Sequence, residues 1–389
     1  MRIIKYIICF FLIEFFATGC KIEYRPSVQS PATGYLVVEG FINSGNGPTI
    51  ITLSRTIKIY DDSTTNVGEH GALVNIEGEN NESYPLYETG DGIYTSASLQ
   101  LNPSEKYRLK IVTHDGKEYT SDFSSYRATP DIDSLSWQRN NDGVKIYINT
   151  HDDQNPVGYY NWKYEDTWEY HAAYYSSLKF IVDPITKLPI GVDYIRPDKS
   201  IDTTIHTCWK TVNSSNIIIG SSEMLSSNHI YFQIMPIPSA SEKLSVLYSI
   251  NVKQYAISEE AYSYLQKLKN NTEEIGSIFA AQPSQLTGNI HCTSNPSEIV
   301  IGFIEVSSEK QKRLFISNPE VPGWNYNNGC GEFTLQNNPD ELKKKAGGLF
   351  PTVPLEVTPV GIVSFFATPD QNCLDCTLRG SNLKPAFWP

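Results

Sequence analysis

Residues capable of chemistry are plentiful in this 389-residue chain, but few stand at a spacing that chemistry uses. The seven histidines, His70, His114, His151, His171, His206, His229 and His291, are scattered. No HExxH, GxSxG, phosphate-binding loop or dinucleotide-binding glycine fingerprint occurs. His151-Asp152-Asp153 is acidic enough to suggest a metal. Three adjacent residues rarely converge on one ion, however, and a solvated loop between strands is the favoured reading. A carboxylate pair for glycoside hydrolysis cannot be picked out, because the separation that defines it belongs to the fold. No catalytic residue, cofactor or metal site is therefore assigned.

Cysteine is more informative. With Cys9 and Cys20 set aside at the amino terminus, Cys208, Cys292, Cys330, Cys373 and Cys376 remain. Cys373-Leu374-Asp375-Cys376 has the spacing of a redox centre or of half a zinc site. A redox thiol needs a strand-to-helix turn to lower its pKa, and here a coil-like tail follows instead. Zinc needs two further ligands at similar spacing, and none is arranged that way. In an oxidising compartment, structural disulfides with one thiol left over are the expectation. Cys373 or Cys376 could pin the tail through Cys292 or Cys330, and the connectivity stays open.

The best candidates for ligand contact are aromatic. Tyr159 to Tyr170 reads YYNWKYEDTWEY. A period of two puts Tyr160, Trp162 and Tyr164 on one face and Asn161, Lys163 and Glu165 on the other. Exposed rings at Trp162, Tyr164 and Trp168 would suit sugars or apolar ligands, since a flat ring offers large contact area at small entropic cost. The plainer reading, favoured here, is that these rings are the buried face of a sandwich strand.

The elements that must position these residues are mostly strands. Arg2 and Lys5 precede the apolar run Tyr6–Phe16, which is shorter than the roughly 20 residues needed to span a bilayer. It ends in Ala17-Thr18-Gly19-Cys20, small residues before a cysteine. Residues 1–19 read as a lipoprotein signal peptide, and Cys20 as the acylated first mature residue that enters the bilayer. Glu14 and Ala17 depart from the usual pattern, and the alternative is a secreted protein whose Cys20 falls there by chance. Residues 20–33 read as a tether. Glu23, soon after Cys20, resembles a surface-export signal, so an outer-membrane lipoprotein at the cell surface is favoured over the periplasmic leaflet.

Apolar alternation at Leu36–Ile42, Ile50–Leu53, Val74/Ile76 and Tyr107–Ile111, with an Asp115-Gly116 turn, predicts a small antiparallel sandwich over 34–126. Its type would be immunoglobulin-like or transthyretin-like. Residues 127–389 read as a larger β-rich domain with a disulfide-pinned tail. One amphipathic helix is inserted at about 258–271, opened by Ser258, Glu259 and Glu260 and faced by Ala261, Tyr264, Leu265 and Leu268. A shorter helix is capped by Asn338, opened by Pro339 and closed by Gly347. Trp388 and Phe387 should plug a groove in the core. The composition is 40% hydrophobic, enough for such cores, and the net charge of −12 without a basic stripe excludes nucleic acid as a partner.

Several segments together carry a resemblance. These are LVVEGFI near the start, Cys208-Trp209, SINVKQYAISEEAYSYLQKLKNN, IVIGFIEVSS, KRLFIS and the closing CLDCTLRGSNLKPAFWP. In this order they resemble the domain of unknown function 4249 family of Bacteroidota envelope lipoproteins. The terminal motif carries Cys373, Cys376, Gly380, Lys384, Pro385, Phe387 and Trp388, with Ser381 where a second glycine is common. The resemblance implies a non-enzymatic accessory or ligand-capture partner of a TonB-dependent outer-membrane receptor, and it brings no catalytic residue. A structural or adhesive surface module is the alternative, and a glycan- or peptide-acting enzyme a weaker one.

Overall fold

A computed structural model describes residues 34–57, 67–273 and 286–389. The chain is mainly β, with two α-helices among the described residues. Cys20, the signal segment and the tether lie outside them. No helix among the described residues is long and apolar enough to cross a membrane.

Strand Leu36–Asn43 pairs with Pro48–Arg55, which pairs with Ile93–Ser98, then Ser83–Gly90, Leu73–Gly78 and Lys106–Val112 in turn. Lys106–Val112 also meets Ser124–Arg127, which lies parallel to Val306–Ser307, and that pair of residues lies parallel to the end of Leu36–Asn43. The path therefore closes on itself as a ring of eight strands, where the expected sandwich would keep two separate sheets. The short strand Ser124–Arg127, paired on both sides, is what joins the edges, and closure removes strands that would otherwise expose unpaired backbone. Alternate residues fill the interior: Leu36, Val38, Ile51, Leu53, Val74, Ile76, Leu109 and Ile111 are all nearly or fully buried. Gly40 marks where Leu36–Asn43 must bend. Its φ is +139°, and a Cβ there would meet the Ile50 carbonyl oxygen at 2.4 Å.

The expected division at residue 126 needs correction as well. Ile290–Cys292, Val300–Gly302 and Val306–Ser307 return from the carboxy-terminal half and pair with strands of this first unit. Long-range parallel pairing of this kind leaves no local trace in a sequence, because the apolar alternation of a strand does not name its neighbour.

The second unit stacks two sheets. One runs Thr207–Asn213, Tyr159–His171, Leu247–Ile257, Lys310–Ser317, and the other Ile132–Asn140, Gly143–His151, His229–Pro238. Between them Tyr160, Trp162, Trp168, Tyr248 and Ile250 meet Val144, Ile146, Ile148 and Ile237 in a common core. Helix Glu259–Thr272 leaves the end of Leu247–Ile257, close to the expected bounds. The Ser258 side chain accepts from Ala261 N at 3.0 Å and Glu305 accepts from Ser258 N at 2.7 Å, tying the helix start to the first unit. Burial pushes the Glu305 carboxyl up.

A third, smaller cluster joins hairpin Leu178–Val182/Pro189–Tyr194 to strands Phe333–Gln336, Phe350–Thr358 and Gly361–Thr368 and to helix Pro339–Lys345. Asn338 caps that helix, as expected; the left-handed glycine after it is Gly348, at φ +74°, and not Gly347. The tail is pinned twice, by Cys330–Cys373 and by Cys208–Cys376. Among the described residues Cys292 is the free thiol, and it is buried. The partner of Cys376 is thus Cys208, outside the two residues weighed for it, because strand Thr207–Asn213 runs along the sheet edge where the tail docks: Trp209 and Ser381 bridge backbone to backbone.

Candidate functional site

The alternation of strand Tyr159–His171 decides which residues can meet a ligand. Tyr160, Trp162, Trp168 and Tyr170 turn into the core. Asn161, Lys163 and Glu165 therefore turn the other way. Three cross-strand pairs with Leu247–Ile257 form a floor: Asn161 opposite Tyr255, Lys163 opposite Lys253, and Glu165 opposite Asn251. Val37, Glu39 and Phe41, the outward residues of Leu36–Asn43, form the facing wall.

The groove between these walls has two lobes that share Glu39, Gly40, Phe41, Lys163 and Ser214. The polar lobe, about 430 Å³, is lined by Asn43, Glu165, Asn213, Lys253, Tyr255 and Glu309 among others. The second, about 390 Å³, is more apolar, with Ile217, Ala261, Tyr264, Leu265, Leu268 and Phe303. Both volumes fall within the range of roughly 300–1,000 Å³ found for small-molecule sites.

Most charges in the groove are answered. Lys253 pairs with Glu309 at 3.7 Å and Glu165 with Arg313 at 3.4 Å. The Tyr255 hydroxyl donates to Glu309, and its ring stacks on Phe41 at 4.4 Å between centroids and 7° between planes. Burial pushes the Tyr255 phenol far above its usual range. Lys163 differs. Its ammonium lies 5.8 Å from the centre of the Phe41 ring, and no carboxylate among the described residues lies within ion-pair distance of it. The Lys163 side chain is exposed to solvent, and the groove walls strip only part of its hydration. That desolvation lowers the Lys163 pKa, opposed by Glu39 and assisted by Lys253 across the strand. Asn161 is 5% exposed, and its Oδ1 finds no hydrogen-bond donor. Burial pushes the Tyr264 phenol, in the apolar lobe, up to about 12.

The aromatic candidates fall elsewhere. Trp162 is fully buried; its indole N–H donates to Gln254 Oε1 at 2.8 Å, and its ring stacks between Tyr160 and Phe232. Trp168 is 6% exposed beneath Lys243, whose ammonium lies 5.0 Å from the ring centre. Neither ring can be reached by a ligand, which corrects the ligand-contact expectation for both. Tyr164 is half-buried and packs against the same core as Trp162, while it borders the polar lobe beside Ser214, to which its backbone N–H donates. Sequence reasoning passed over Asn161, Lys163 and Glu39, although the same period of two separated the polar face from the aromatic one. His151 pairs with Asp133 at 2.8 Å, and no group of three metal-ligating side chains occurs among the described residues.

A family model described as "Domain of unknown function (DUF4249)" matches residues 22–313. No curated protein matches the chain. Among solved structures, a "putative carbohydrate binding protein" from Bacteroides uniformis is 10% identical, with 59% of this chain and 92% of that chain covered. Its TM-score is 0.14, and a likeness at that level carries no argument about this molecule.

Proposed function

The chain belongs to the domain of unknown function 4249 family, and we propose that it is a non-enzymatic outer-membrane lipoprotein that captures a ligand for a TonB-dependent transporter. In this reading Cys20 carries the lipid anchor, and the protein faces the cell surface. The observation that carries it is the groove between the eight-strand ring and the second unit, with its unanswered Lys163 at the junction of two lobes. Fixed polar groups beside an apolar recess are what a binding site requires. Capture would need only binding and proximity: a ligand held beside the receptor mouth gains effective concentration without any bond being made or broken.

The test is a mild-detergent pull-down from native outer membrane with the full-length chain, and with Cys20→Ala as control. A TonB-dependent receptor recovered at stoichiometry with the wild type, and lost with Cys20→Ala, is the expected result. Recovery of the protein alone would favour a self-standing adhesin or enzyme.

A further inference from the structure

Lys163 and Lys253 stand directly opposite each other on neighbouring strands, an arrangement that costs stability unless counter-ions answer both. Glu309 answers Lys253 only. Glu39, on the ring wall, influences Lys163 but stands beyond ion-pair distance, so an incoming anion displaces no existing bridge. Two residues away on the same face, Asn161 holds a buried carbonyl oxygen without a donor, and an unmet acceptor of this kind is costly. Beside both opens the apolar lobe of Ile217, Leu265, Leu268 and Phe303.

We propose that the groove takes the carboxy-terminal end of a short peptide with an apolar last residue. Its carboxylate pairs with Lys163, a backbone N–H donates to Asn161 Oδ1, and the apolar side chain enters the lobe. The pitch is suitable, since same-face groups two residues apart repeat at about 6.6 Å both on the strand and along an extended peptide. Other classes meet fewer of the three demands. A fatty acid supplies the anion and the apolar body but no N–H. A neutral sugar leaves Lys163 unanswered and the lobe unfilled. An internal peptide segment lacks the terminal carboxylate and could answer Lys163 only through an Asp or Glu side chain, a case in which Gly-Gly-Leu and its carboxamide would bind alike.

This assignment rests on the capture reading, and its test keeps the two apart. The full chain in mild detergent is titrated calorimetrically with Gly-Gly-Leu, with its carboxamide and with octanoate. Gly-Gly-Leu is expected to bind at least tenfold more tightly than either of the others. Lys163→Gln should erase the difference between acid and amide, and Asn161→Leu should weaken the tripeptide while leaving octanoate unchanged. Equal binding of acid and amide to the wild type overturns the proposal without recourse to any variant. Octanoate binding as tightly as the tripeptide, or no tripeptide binding, overturns it too. A receptor recovered in the pull-down without tripeptide binding would sink the ligand assignment and leave the transport reading standing. Tripeptide binding without a receptor would do the reverse.

Discussion

The indole N–H of Trp388 donates to Glu169 Oε2 at 3.0 Å, joining the second-last residue of the chain to a strand 219 positions earlier. The ring is 7% exposed and meets Trp209 and Phe315 edge-on, at 6.4 and 5.7 Å between centroids. Arg313 lies over the neighbouring Phe387 at 3.6 Å, although Phe387 itself keeps 38% of its surface. Of the two terminal aromatics, only Trp388 is therefore a core residue.

Removing residues 385–389 should destabilise the second unit. A buried Trp→Ala change typically costs about 3–5 kcal/mol, and the truncation also leaves Glu169 Oε2 without the indole donor. Thermal melting of the full chain and of the truncated chain decides the point. An unchanged melting temperature would show that the tail merely rests on the surface.

Trp162 and Lys163 are adjacent in sequence and opposite in role, which gives a second prediction. Trp162→Ala should cost about 3–5 kcal/mol in denaturant unfolding, since it opens a cavity and strands the Gln254 amide that bridges to Thr150. Lys163→Gln should shift stability by no more than about 0.5 kcal/mol, as it breaks no ion pair. If Lys163→Gln unfolds the protein, the groove is a structural seam.

The same pair shows what the sequence could and could not convey. Alternation gave the two faces of Tyr159–His171 correctly, because a strand's period is set by backbone geometry alone. It could not say which face meets another sheet. Aromatic residues suit a binding surface and a core equally, and only the second sheet, carrying Val144, Ile146 and Ile148, settles that Trp162 is core. The helix over Glu259–Thr272 was legible because its cap, first-turn acids and apolar stripe are all local. The groove was not legible. It depends on Val300–Gly302 and Val306–Ser307 returning to pair with Leu36–Asn43, and nothing in either segment names the other.

Disulfide connectivity was hidden for the same reason, and it carries the third prediction. Cys208–Cys376 spans 168 residues and Cys330–Cys373 spans 43. By chain entropy alone, these loops correspond to about 5 and about 4 kcal/mol of restraint on the unfolded chain. Replacing Cys208 and Cys376 together by Ser should therefore lower the denaturation midpoint more than replacing Cys330 and Cys373. The longer bridge also fixes the docking of the tail beside Tyr170, whose hydroxyl donates to the Cys376 carbonyl at 2.7 Å. Equal effects in the two double variants would mean that local packing, and not loop length, governs the gain.

His206 should make the fold sensitive to mild acid. Its ring stacks on Tyr175 at 4.1 Å between centroids and lies 5.1 Å from His171. Burial first, and then the neighbouring His171, lower its pKa below the ordinary value of 6.5. A lowered imidazole pKa means that the unfolded chain binds a proton that the folded chain refuses. Stability is therefore fully present above pH 6.5 and falls as the pH drops toward the folded value. His70 and His151 act in the opposite sense, because Glu88 and Asp133 raise their pKa values, so the total pH profile mixes both signs. The difference between wild type and His206→Phe isolates the first contribution. The variant, which keeps a ring against Tyr175, should lose less stability than the wild type between pH 7 and pH 5 in denaturant titrations. A parallel decline in both proteins would show that His206 takes up its proton as readily in the fold as outside it.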